Sequence, residues 1–141
     1  MVAGFIYING LNMNGIISFL FLILFLSFSS QANEIQSCYD KKVTAYIQNC
    51  MELLYRQEAE KYNNIYHGFI KSIRREDLAN YDEFITSINE SKLYWEKYIV
   101  GECKAEGLLN IKDSPAYSIA YNECMVKAYR ERVAFYNKYP F

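Results

Sequence analysis

From Val43 onward the apolar residues of this chain recur three and four places apart, and no segment alternates with a period of two. That spacing gathers them on one side of a helix and denies a sheet its alternating face. The first stripe runs Val43, Tyr46, Ile47, Cys50 and Leu54, then Ala59, Tyr62, Tyr66, Phe69, Ile70 and Ile73. It predicts one long amphipathic helix or two nearly collinear ones. Lys71, Arg74 and Arg75 suit the end of a helix and Glu76 and Asp77 the start of the next, because the helix dipole favours cations at its C-terminus and anions at its N-terminus. A reversal is expected near 74–77. Leu78, Tyr81, Ile85, Ile88, Trp95 and Ile99 form a second stripe, with Phe84 and Tyr98 at its edge, fading at Gly101 or Gly107. Lys92 interrupts it and is expected to snorkel outward. Beyond a loop, Ser114 and Pro115 offer an N-cap and a first helical residue, and Tyr117, Ala120, Tyr121, Cys124, Ala128 and Phe135 make a third stripe before Pro140. The expected fold is all-α, a small antiparallel bundle of three to four helices.

The first 32 residues stand apart, holding no Asp, Glu, Lys or Arg. Within them Ile16 to Phe28 is uniformly apolar and is followed by Ser30-Gln31-Ala32, a small-x-small cleavage pattern. A spanning helix needs about 20 apolar residues, so this run has the length of a signal-peptide core. Residues 1–32 are therefore read as a signal peptide and 33–141 as one helical domain, periplasmic or secreted. The leader lacks the usual basic residue, and a membrane association follows only if it stays uncleaved. Ile35-Gln36-Ser37-Cys38 has the outline of a lipidation site but lies well beyond the apolar run, with Glu34 intervening.

Against 15 basic residues stand 16 acidic ones, for a formal charge of −1. Such a balance excludes the electrostatic footprint of a nucleic-acid binder. The cysteines are Cys38, Cys50, Cys103 and Cys124, all beyond the leader. An even number in a short exported chain implies two disulfides that staple the bundle. Zinc is a poor reading, since no two cysteines stand three apart and His67 is the sole histidine. The 14 tyrosines lie mostly on the stripes, as in an aromatic core whose hydroxyls reach outward.

Catalytic chemistry has little to draw on. His67 is flanked by Asn63, Asn64 and Gly68, which supply neither acid nor base, and reads as a surface histidine. The carboxylate pairs Glu58/Glu60, Glu76/Asp77 and Asp82/Glu83 have spacings common on solvated helix faces. No glycine-rich phosphate loop, H-E-x-x-H or G-x-S-x-G occurs. The reading is therefore not an enzyme, with no cofactor and no metal, but a stapled helical module that works by contact with a protein partner.

Several elements recur in an order that resembles a family. Cys38 is followed by Asn49-Cys50, then by Ala59-Glu60 and Tyr62-Asn63-Asn64-Ile65-Tyr66, then by Trp95 eight residues before Cys103, and last by Cys124 with Glu131-Arg132. The arrangement resembles the LprI-like lysozyme inhibitors, small exported four-cysteine helical bacterial proteins, over about Cys38 to Phe135. The chain departs from the family pattern at three places: Tyr62 stands where it has leucine, Lys92 where it has glutamine, and Ile99-Val100 replace an Arg-Asp pair. The resemblance implies binding to a lysozyme-type glycosidase and occlusion of its cleft. It assigns no inhibitory residue. Two other classes fit the same export and staples: a periplasmic immunity or adaptor protein that binds a bacterial toxin, and a structural envelope component. Trp95, Tyr62 and Tyr66 are read as core, and Asn63, Glu131 and Arg132 as matches to the family motif.

Two arguments conflict over the cysteine pairing. An antiparallel pair of helices reversing near 76 places Cys50 and Cys103 about equally far from the turn, which favours joining them. The family's spacing implies the local pairs Cys38–Cys50 and Cys103–Cys124. One unbroken helix would hold Cys38 about 18 Å from Cys50, while a disulfide needs Cα atoms within about 7 Å. Local pairing thus requires a helix that begins after Cys38, with Thr44 as its N-cap and a short arm folded back. The local pairs are the expectation taken forward.

Overall fold

A computed structural model describes residues 34–138. The apolar run, the cleavage pattern and Pro140 lie outside the described residues. The chain divides into two units, Met1–Gln36 and Ser37–Phe141, and the three long helices belong to the second. Residues 34–39 are helical (α1). They are followed by α2 (Thr44–Ser72), a 3-10 turn (Arg75–Asp77), α3 (Tyr81–Gly107) and α4 (Pro115–Tyr136). Among the described residues there is no strand.

The all-α bundle is as its periodicity implied, and α2 is a single unbroken helix. Its start differs from expectation. Val43, not Thr44, is the N-cap, and no side chain caps the first turn. The arm dictates this, because Lys42 adopts a left-handed φ of 60° as the chain turns back, and Lys41 N–H and Lys42 N–H donate to the carbonyls of Cys38 and Tyr39. That turn brings Cys38 to Cys50, with Cα atoms 5.5 Å apart. Cys103 and Cys124 form the second disulfide. The alternative Cys50–Cys103 pairing is thereby excluded.

The reversal falls at Arg75–Asp77, but α3 begins later than the charges suggested. Glu76 and Asp77 occupy the 3-10 turn, and the acids at the N-terminal turn of α3 are Asp82 and Glu83. Arg75 clamps the corner through two hydrogen bonds to Asp82, at 2.8 and 2.6 Å. That partner holds the Asp82 carboxyl below its usual range. Ser114 caps α4 as expected, its Oγ accepting from Tyr117 N–H at 3.1 Å, with Pro115 in the first helical position.

Side-chain pairs set the helix directions. Tyr55, Glu58 and Tyr62 of α2 meet Tyr129, Arg130 and Tyr136 of α4 in the same order, so these two run parallel. Trp95 meets Tyr129 while Cys103 meets Cys124, so α3 runs antiparallel to α4. Helix α4 packs closely against both others. Being covered on two sides, it buries Ile119, Asn122, Met125, Val126, Val133 and Tyr136 in addition to Cys124 and Ala128, a band wider than its stripe implied. At the other extreme Val43 and Tyr46, expected on the first stripe, are 51 and 62 % exposed. The spacing rule finds a face of α2 but not the height at which a partner begins to cover it.

Candidate functional site

The residues that carried the family resemblance come from four helices, α1 to α4, and the structure gathers only some of them. Arg132 projects from α4 into an aromatic nest: its guanidinium lies 5.3 Å from the ring centre of Trp95, 4.5 Å from Phe135 and 5.1 Å from Tyr136. Its Nη2 donates to Ser91 Oγ at 3.4 Å and its Nε to the Tyr136 hydroxyl at 3.3 Å. A planar cation is stabilised on such ring faces without a carboxylate partner. Trp95, Tyr98, Glu102, Glu131, Arg132 and Phe135 line a groove of about 370 Å³ between α3 and α4. Asn63 lies exposed on α2 and contributes nothing to that groove.

Trp95 was expected in the core and is half-buried instead. Its indole backs onto two hydrophobic clusters, one built on Tyr62, Tyr66, Phe69 and Tyr136, the other on Ile99, Cys103, Cys124 and Met125. Its other side forms part of the groove wall. One ring thus packs against the core on one side and walls the groove on the other.

Tyr62 and Tyr66 are buried, at the centre of an aromatic layer in which Tyr62 stacks on Tyr129 at 5.0 Å and leans on Trp95 at 5.3 Å. Burial, followed by the nearby Tyr136 and Glu96, pushes the Tyr62 hydroxyl well above its ordinary range. Tyr66 donates to Asn89 Oδ1 at 2.6 Å. Lys92 does not snorkel outward. Its ammonium lies 5.4 and 5.2 Å from the rings of Tyr62 and Tyr66 and pairs with Glu96 at 2.5 Å.

One polar element escaped the stripe reading. Glu58 on α2 and Arg130 on α4 form an ion pair at 2.7 Å with both side chains only 8 % exposed. Lys61 stands 3.6 Å from the second carboxylate oxygen. The signal was present in the spacing: Glu58 lies four residues after Leu54 and four before Tyr62, a core position that the stripe skipped in favour of Ala59. A charge at such a position needs a buried partner.

None of this assembles a nucleophile with a base. His67 is exposed, with its ring edge-on to Tyr66, and all four cysteines are oxidised. Among the described residues no group of three or more His, Cys, Asp or Glu is placed to hold a metal. What the surface does offer is apolar contact area. Every residue from 108 to 113, between α3 and α4, is exposed, and Leu109 and Ile111 reach 85 and 83 %.

The profile of the family described as lysozyme inhibitor LprI matches residues 36–135. The chain belongs to that family. The match takes in both disulfides, α2, α3 and all but the last residue of α4, and includes both Trp95 and Arg132. No curated protein and no solved structure matches the chain. No helix of the described residues is long and apolar enough to cross a membrane.

Proposed function

We propose that the protein is exported, loses its leader after Ala32, and acts in the periplasm or outside the cell by binding a lysozyme-type glycosidase and covering its substrate cleft. The observation that carries this reading is the family match across the whole stapled bundle. Two further features support it. Both disulfides demand an oxidising compartment, which the apolar run Ile16–Phe28 would give access to. Contact is also what such a scaffold does well: its helices are held by covalent and aromatic links, so little ordering entropy is lost on docking.

The test is direct. Oxidised protein comprising residues 33–141 is titrated into purified host-type lysozymes acting on suspended peptidoglycan. Stoichiometric loss of lysis with recovery of a complex is expected. Neither inhibition nor a complex with any lysozyme tried would sink the reading. Export is checked by mass spectrometry of the periplasmic fraction, where the chain should begin at about Asn33. Intact residues before Ser30 would show an anchor instead.

A further inference from the structure

The contact element can be located. We propose that the loop 108–113 enters the glycosidase cleft, with Leu109 and Ile111 covering its apolar walls and Lys112 meeting the catalytic carboxylates. This inference rests on the inhibitor reading above and adds the residues that reading lacks.

Exposure is the starting point. Leu108, Leu109 and Ile111 are apolar and 56, 85 and 83 % exposed, which places three large side chains in water within four residues. Exposed aliphatic residues scattered singly need no explanation, but a cluster on one protruding loop marks a contact. A convex loop fits a concave partner, and the substrate cleft of a glycan hydrolase is concave.

The loop is also held in shape before any partner arrives. Cys103–Cys124 ties the helix that enters it to the helix that leaves it. Tyr117 packs on Gly107 so closely that a Cβ there would stand 2.9 Å from the ring, which brings the two helix ends together. Within the turn, the N–H groups of Leu108, Leu109 and Asn110 donate to the carbonyls of Lys104, Glu106 and Gly107, and Ser114 N–H donates to Ile111. Asp113 takes a left-handed φ of 62° immediately before the Ser114 cap. A loop ordered in advance forfeits less entropy on binding, which is the property an inhibitory loop needs.

Charge selects the partner. Lys112 is the loop's single cation and makes no ion pair among the described residues. Glycan hydrolases of the common kind carry two carboxylates at the scissile bond, so an ammonium between apolar neighbours is complementary to that site. Asp113 is accounted for separately, since it stands at the start of α4, where negative charge suits the helix dipole. The groove at Trp95 is the weaker candidate because Arg132 already lies on its rings.

The experiment compares the oxidised wild-type chain with three variants: L109S/I111S, K112E, and Y94S as a control on the exposed side of α3. Each is titrated against host-type lysozyme, with binding also measured in the presence of tri-N-acetylchitotriose, which fills the cleft. The double variant should lose roughly a hundredfold in inhibition, and K112E roughly tenfold, with melting temperatures unchanged. Y94S should stay within about twofold, and the trisaccharide should compete with the wild type. If the wild type inhibits and L109S/I111S inhibits equally well, the loop assignment fails while the inhibitor reading stands; if the trisaccharide does not compete, the loop assignment and cleft occlusion both fail, and only lysozyme binding stands. If the wild type neither binds nor inhibits, both fall.

Discussion

The two ends of the bundle hold their helices together by different means. Where the chain reverses at Arg75–Asp77, cohesion is aromatic: Tyr62, Tyr66, Phe69 and Tyr136 interlock, and Arg132 and Lys92 lie on their faces. At the opposite end it is covalent, with Cys38–Cys50 and Cys103–Cys124 standing where Val43, Tyr46 and the loop 108–113 remain exposed. Trp95 and Tyr129 pack against the clusters of both ends. The difference teaches that apolar area can be left in water where disulfides add to a smaller buried cluster in keeping the helices in register. The end free to present a contact surface is therefore the stapled one.

One of the two largest expected effects lies between the ends. Glu58→Ala leaves the Arg130 guanidinium buried without its carboxylate and should cost about 3–5 kcal/mol by urea unfolding. Replacing both with methionine should recover most of that loss, since a buried pair exchanged whole for apolar groups is often neutral. A loss below about 1 kcal/mol for the single variant would show that the pair is solvated.

At the aromatic end, Tyr62→Ala should cost about 3–5 kcal/mol, as expected for a sealed aromatic. Trp95→Ala should cost less, about 2–3 kcal/mol, because one side of the indole lies in the groove. The reverse order would make Trp95 the keystone and erase the distinction between core and groove wall.

The two staples should part company next. Their sequence separations, 12 and 21 residues, give similar loop-closure terms of about 3 kcal/mol each. Cys103 is fully buried between two helices, so C103S/C124S should lose about that amount. C38S/C50S frees an arm that the folded chain can release locally, which cancels much of the entropy difference and leaves a loss of about 1 kcal/mol. Hydrogen exchange should show the change confined to residues 37–43. Global loss of protection would mean that the arm is part of the core.

The smallest effect is the arm's own pH dependence. Tyr39 donates a short hydrogen bond to Glu123. Burial first, then Glu123, pushes its pKa from the usual 10.0 up to about 12. Because the folded value is the higher one, the arm's stabilisation is complete below about pH 10 and is lost as pH rises through about 12. Phenolate absorbance should report that step, and Tyr39→Phe should abolish it while costing, through the lost bond to Glu123, no more than about 1 kcal/mol at neutral pH.

Much of this was legible in the chain as written. Helical spacing gave the three long helices, Ser114-Pro115 the start of the last, and the ordered cysteine and tryptophan spacings the family. These follow from local rules, in which a residue's neighbours three and four places away decide its conformation. Three things did not follow. Only the tertiary structure paired Glu58 with Arg130, across 72 residues of sequence. Only it turned Lys92 inward onto two tyrosines and left Trp95 half open. Only it made α4 the helix covered on two sides while leaving Leu109 and Ile111 bare. The reason is the same in each case: periodicity identifies the face a helix must bury, whereas how far a partner covers that face depends on where distant helices begin and end.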